Sequence, residues 1–249
     1  MKAIVEYNSR KITVNISKPI DISIPVNPKK QNVNAWYTKA PEISAETQEG
    51  YEISVANGAV VNFNNIHFNP HSHITHTECV GHITKEVHSV NKNLKYFIFL
   101  AEVVTIAPLF HNGDFLIGVK QLKTALKNKK RDAIVIRTLP NLEDKKSTDY
   151  SNTNPTYLSE KAAVYLREKG IKHLLIDLPS VDKEKDDGRL LSHNAFWNTA
   201  GKVRMDATIT ELIYVPNEVE DGEYLLNLMI APFENDATPS KPVLYEIEK

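Results

Sequence analysis

Along the first sixty residues, β-branched and polar positions alternate in KITVNIS (11–17), DISIPV (21–26) and YEISVANGAVVNF (51–63). A period of two turns alternate side chains to one face, so these segments predict short strands. Pro19, Pro25, Pro28, Pro41 and the Asn57-Gly58 pair punctuate them as turns. The run YFIFLAEVVTI (96–106) is too short to span a bilayer, and its β-branched and aromatic content predicts a buried strand. DAIVIRT (132–138) and IKHLLIDL (171–178) predict two more, separated by a helix in LSEKAAVYLREKG (158–170). Ser159 is placed to cap that helix, Ala162, Ala163 and Leu166 with Val164 and Tyr165 to form its buried stripe, and Gly170 to end it. Strand, helix, strand in that order implies a crossover unit. A second helix is predicted within DFLIGVKQLKTALKNKK (114–130), capped by Asp114 with Ile117, Leu122 and Leu126 inward, and TITELIYVP and EYLLNLMIAP return to strands. The fold class expected is α/β, a single domain over residues 1–249 around a mixed, strand-rich sheet with flanking helices.

Composition narrows the function more by exclusion than by assignment. A chain of 249 residues with 41% hydrophobic side chains can bury one substantial core. A net charge of -1 gives no global attraction to nucleic acid or an anionic membrane, so a small-molecule substrate is favoured over either partner. The first residues lack the apolar core of a secretion signal, no stretch reaches membrane-span length, and the one cysteine fits a reducing compartment; the expected location is cytoplasmic.

Chemistry concentrates in HFNPHSHITHTECVGH, residues 67–82, which holds His67, His71, His73, His76 and His82 together with Glu78 and Cys79. Imidazole and carboxylate are ligands preferred by zinc, manganese and iron, and imidazole moves protons near neutral pH. If residues 72–82 run extended, Ser72, His76, Glu78 and His82 share one face, and His71 and His73 point the other way unless the chain bends at Pro70. His76 and Glu78, two apart on a strand, can converge on one ion. His193 and Glu211 are the candidates to complete the set; Glu211 lies in an apolar strand where an unpartnered carboxylate is costly, the alternative being an edge strand with Glu211 toward solvent. Cys79 reads as a small buried side chain rather than a nucleophile. His-Thr-Glu matches the H-x-E of zinc deaminases, but their P-C-x-x-C partner cannot occur with one cysteine. Metalloprotease, serine-hydrolase, dinucleotide and P-loop motifs are absent. Trp36 and Tyr37 are candidates for an aromatic wall, possible across a subunit interface, with plain packing the alternative.

The string Thr75-His76-Thr77-Glu78-Cys79-Val80-Gly81-His82 resembles the H-x-G-T-H-x-[DE]-x-x-x-H motif of the metal-dependent cyclase superfamily, whose best-known members are bacterial kynurenine formamidases. Ile136-Arg137-Thr138, the segment Leu158–Ala163, the D-x-x-S-x-D match at Asp177–Asp182, His193 and Ile209–Leu212 follow in the family's order. The resemblance implies a hydrolase of a small amide, ester or lactone-like substrate, arylformamidase-like in acting on a C–N bond. It implies one or two divalent ions, zinc or manganese, and a homo-oligomer, dimer or tetramer. By the same resemblance His76 and Glu78 would be ligands, Glu78 able to bridge two ions, His193 and Glu211 ligands of the second ion, and His82 the general acid or base. The family's first ligand falls on Ser72, so His71 or His73 would have to replace it, and the family's motif glycine falls on Ile74. A weakened member that binds metal or metabolite without turnover, and a dehydratase or cyclase on the same site, are the alternatives.

Overall fold

The apolar runs become the parallel half of one sheet. In the computed structural model, which describes residues 1–7, 9–27 and 30–248, strands Ile98–Ile106, Ala133–Thr138, His173–Ile176 and Thr208–Glu211 lie side by side and parallel. The short strand His76–Glu78 comes next, antiparallel to Thr208–Glu211 on one side and to Ala237–Glu246 on the other. Ala237–Glu246 also pairs with Gly222–Ile230, which returns to Ile98–Ile106. Seven of the eight strands therefore close into a barrel, and Ile20–Asp21 attaches outside it on Ala237–Glu246. Closure pairs both sides of those strands and leaves no long open edge among them.

The near-continuous hydrophobicity of the parallel strands follows from burial on both faces. Ala133 and Val135 enter the barrel core with Ala101, Val103, Leu226 and Leu244. Ile134 and Ile136 face outward with Leu174, Ile176 and Ile209, where helices Val119–Leu126, Glu160–Glu168 and Leu191–Trp197 cover them through Leu122, Ala163, Leu166 and Phe196. The predicted crossover is present: Ala133–Thr138 and His173–Ile176 are parallel, with Glu160–Glu168 between them in the chain. Ser159 occupies the cap position, but its hydroxyl makes no capping bond; its carbonyl accepts the Ala162 and Ala163 N–H groups, and Gly170, at φ 82°, ends the helix.

Three expectations are corrected. Asp114 is not a helix cap: Asp114–Ile117 is a strand between Leu109–His111 and Tyr157–Leu158. The Asn112-Gly113 turn, both residues at positive φ, folds that hairpin, and the helix begins only after Gly118. In YEISVANGAVVNF only Tyr51–Glu52 is strand; the Ser54 hydroxyl accepts the Ala56 N–H at 3.2 Å and starts a 3-10 turn, Val55–Asn57. Residues 72–82 are not extended throughout, because Pro70–His73 is a helical turn. The Ala237–Glu246 strand, which closes the barrel, went unassigned from sequence. No helix among the described residues is long and apolar enough to cross a membrane.

Candidate metal centre

The cluster forms on the outer, helix-covered face of the barrel. Asn69 caps the turn Pro70–His73, its side chain accepting the His71 N–H at 2.9 Å, and Pro70 sits where its missing N–H costs nothing. Ile74, at φ -152° and ψ 156°, then turns the chain into the His76–Glu78 strand. Helical spacing before the strand breaks the alternation, so His71 reaches the same side as His76 and Glu78. His73 turns away: its Nδ1 accepts the Asn69 N–H at 2.9 Å and its Nε2 lies 3.0 Å from the Thr38 hydroxyl. Register supplies Glu211, which pairs directly opposite His76. It is 3% exposed, which removes the solvent-facing alternative. Leu190, in left-handed backbone, starts the Leu191–Trp197 helix, and the Asp182 carboxylate holds its first turn by accepting the N–H groups of Ser192 at 2.7 Å and His193 at 3.1 Å. The turn Val80–His82 brings His82 back over Glu78.

The predicted residues His71, His76, Glu78, His82, His193 and Glu211 thus meet, and His73 does not. Glu78 is the hub. Its Oε2 lies 3.2 Å from His71 Nδ1, 3.8 Å from His82 Nε2 and 3.9 Å from His76 Nε2, and its Oε1 lies 3.1 Å from His193 Nε2. Glu211 places Oε2 3.5 Å from His76 Nε2 and Oε1 3.8 Å from His193 Nε2, while Oε1 also accepts the Val181 N–H at 2.8 Å. Each ring is turned by an acceptor on its far nitrogen. His193 Nδ1 donates to Asp182 at 2.7 Å, His76 Nδ1 to the Ile74 carbonyl at 3.1 Å, and His71 Nε2 and His82 Nδ1 to Asp236 at 3.0 and 3.3 Å. That is the arrangement which orients an imidazole toward a metal ion.

The donor set fits a divalent cation. His76 Nε2 and Glu78 Oε2 are buried without a hydrogen-bond partner, although both residues are 0% exposed, and such orphans are rare in native structures. Three overlapping sets place one donor atom each within 4.8 Å of one another: His71, His76 and Glu78; Glu78, His82 and His193; and His71, His82 and Asp236. Burial alone would lower the pKa of His71 and His193. The neighbouring carboxylates outweigh it, Asp236 and Glu78 for His71, Asp182, Glu78 and Glu211 for His193, and raise each to about 10. Burial likewise works to raise Glu78, but the imidazoles of His82, His193 and His71 hold it well below the usual carboxylate range. Carboxylates packed this deeply demand positive charge, and imidazole with carboxylate is a donor set for zinc, manganese or iron.

A cavity of 290 Å³ opens onto the cluster, walled by Trp36, Leu190, Ser72 and Ser180. Trp36 and Tyr37 both have φ 60°, a conformation costly for large side chains, and the Tyr37 hydroxyl is tied to Glu184 at 2.6 Å. Trp36 lines this cavity within its own chain. A larger cavity of 340 Å³, at the barrel end where the parallel strands begin, is lined by Leu94, Phe99 and His173. None of the potential metal-binding groups among the described residues lies there. His71 and Asp236 also line a wider cavity of 610 Å³ beside Thr38 and His67, but the 290 Å³ cavity is the one that meets His71, His82, His193 and Glu211 together. Cys79 is buried with Sγ 3.3 Å from the His88 carbonyl, a packing role. Asp236 and the orienting role of Asp182 escaped the sequence reading. Asp236 sits in a polar turn, and only the alternation of the strand after it would have drawn attention there.

Residues 20–183 match the Cyclase family. The chain is 23% identical over 235 residues to the kynurenine formamidase of Bacillus mycoides, covering 93% of this chain and 99% of that one. Among solved structures, a predicted metal-dependent hydrolase from Bacillus stearothermophilus shares the fold with a TM-score of 0.64 at 17% identity, over 92% of this chain and 98% of that one. Isatin hydrolase A from Labrenzia aggregata superposes with a TM-score of 0.66 at 12% identity, over 93% of this chain and 94% of that one. With more than half of its length matched by the family, this chain belongs to the Cyclase family.

Proposed function

We propose that the protein is a metal-dependent hydrolase of a small amide, ester or lactone-like substrate, arylformamidase-like in cleaving a C–N bond. The observation that carries this reading is the pair of orphaned buried atoms, His76 Nε2 and Glu78 Oε2, aimed into a cluster of further imidazoles and carboxylates. The relatives support it by their own names, kynurenine formamidase and isatin hydrolase. His71, His76 and Glu78 would hold one ion, and His193 and Glu211 with Glu78 as a bridge would hold a second; zinc and manganese suit the set. A divalent ion there supplies Lewis-acid polarisation of a carbonyl and makes water acidic enough to deprotonate near neutral pH.

The chain's own residues do the rest. Trp36 and Leu190 offer apolar surface for a small planar substrate, and Ser180, also on the cavity wall, offers a hydroxyl to orient its polar end. His82, the most exposed of the four rings, with Nε2 toward Glu78 and Nδ1 on Asp236, is placed to take a proton and return it to the leaving group. His71 would take the place of the ligand replaced at Ser72, which is why this reading prefers an active hydrolase to a weakened relative. The protein also acts as a homo-oligomer in this reading. The test is metal content and turnover of N-formyl aromatic amines with added zinc or manganese. Bound metal and turnover are expected; a protein that purifies without metal and rebinds none sinks the proposal.

A further inference from the structure

We infer that Asp236 is a positioning residue that serves two histidines of different function with a single carboxylate oxygen. This rests on the reading of the cluster as a hydrolytic metal centre. Asp236 Oδ2 is 3.0 Å from His71 Nε2 and 3.3 Å from His82 Nδ1. A carboxylate only accepts, so both of those nitrogens carry their protons toward it. The opposite edges are thereby turned inward, His71 Nδ1 at 3.2 Å and His82 Nε2 at 3.8 Å from the same Glu78 oxygen. The two rings stack, centroids 4.3 Å apart and 28° from parallel, like plates clipped along one edge.

The clip is placed by backbone that does not depend on its own side chain. Ala237 pairs opposite Glu78, and the Asp236 carbonyl accepts the Cys79 N–H at 3.0 Å, so the residue is delivered to the end of the His76–Glu78 strand where the chain turns toward His82. The other two rings have separate supports, His193 on Asp182 and His76 on the Ile74 carbonyl. Only His71 and His82 share one. Loss of this single carboxylate therefore loosens a metal ligand and the proton carrier together, whereas loss of Asp182 loosens a ligand alone.

The experiment compares wild type with Asp236→Ala and Asp236→Asn, each also in a His82→Ala background, after circular dichroism shows that they fold. In metal-free, nitrogen-15-labelled protein, hydrogen-bonded ring N–H resonances of both His71 and His82 are expected in wild type and absent in Asp236→Ala. Zinc affinity is expected to fall about 10–100-fold in Asp236→Ala with unchanged stoichiometry, the usual effect of removing a partner behind a ligand. Asp236→Asn, which keeps an acceptor without the charge, falls between. Turnover of an N-formyl aromatic amine should drop through kcat by roughly tenfold or more with little change in KM. In the His82→Ala background the zinc effect should persist while the extra loss in kcat shrinks. Unchanged ring resonances and zinc affinity in Asp236→Ala overturn the inference, and so does outright loss of one zinc equivalent, which would make Asp236 a ligand. If wild type binds no zinc, the metal-centre reading fails, and the ring resonances still decide whether Asp236 holds the two histidines.

Discussion

His76 and His73 lie three residues apart, and their surroundings predict opposite outcomes for the same substitution. His76→Ala removes a nitrogen that has no protein partner, and should abolish zinc or manganese binding as measured by elemental analysis. His73→Ala removes bonds to Asn69 and Thr38 instead, and should keep the metal while lowering stability by about 1–3 kcal/mol in denaturant titration. The spacing of His76 and Glu78 announced a shared face because a strand has a fixed period. The choice between His71 and His73 was not legible, since it turns on a one-turn helix capped by Asn69 that breaks this period. His173 carries a different prediction. Burial, with a contribution from Lys172, lowers its pKa to about 3 from an ordinary value near 6.5, so the folded protein holds it neutral while the unfolded chain protonates it. Between those values the unfolded state binds the extra proton, so stability falls as pH falls, by up to about 1.4 kcal/mol per unit. A His173→Gln variant should show a shallower decline in urea midpoint across pH 6.5 to 3; an identical slope would remove His173 from the account.

At the scale of elements, the turn Val80–His82 is the most exacting. A Cβ on Gly81 would sit 2.3 Å from the His88 carbonyl oxygen, so the turn and the 88–90 segment approach as only glycine allows. Gly81→Ala should cost about 1–3 kcal/mol through overpacking, and should lower kcat because His82 is the next residue. Thermal unfolding and steady-state kinetics together check this; full stability and full rate would show that the turn can give. The long elements were readable because burial on both faces leaves nearly uninterrupted apolar runs. The hairpin at Leu109–Ile117 was hidden because its residues fit either period, with Asn112-Gly113 the one cue for a turn.

For the whole molecule, the region from Glu42 to His67 stands apart from the core. Strand Asn64–His67 is exposed throughout, and Val60, Phe63 and Ile66 are 96%, 56% and 60% exposed. A two-stranded ribbon is marginal alone, and its exposed apolar side chains are where the homo-oligomer proposed above would make contact. A second copy of the chain is the expected cover. Analytical ultracentrifugation should show a dimer or tetramer that dissociates in Phe63→Ser/Ile66→Ser; a wild-type monomer at micromolar concentration contradicts the expectation. Closure of the sheet was beyond the sequence, because pairing between distant strands leaves no local period.

The closed sheet has a kinetic consequence. The strand that carries His76 and Glu78 is three residues long and finds both its neighbours far along the chain: Thr77 pairs with Thr210, 133 positions on, and with Thr238, 161 positions on. Contacts so remote form late, since loop-closure entropy must be met before they are rewarded. During refolding the histidine-rich segment should therefore remain accessible after the parallel strands have assembled, free to take up ions in the wrong arrangement. Metal supplied after refolding should give more active protein than metal present throughout.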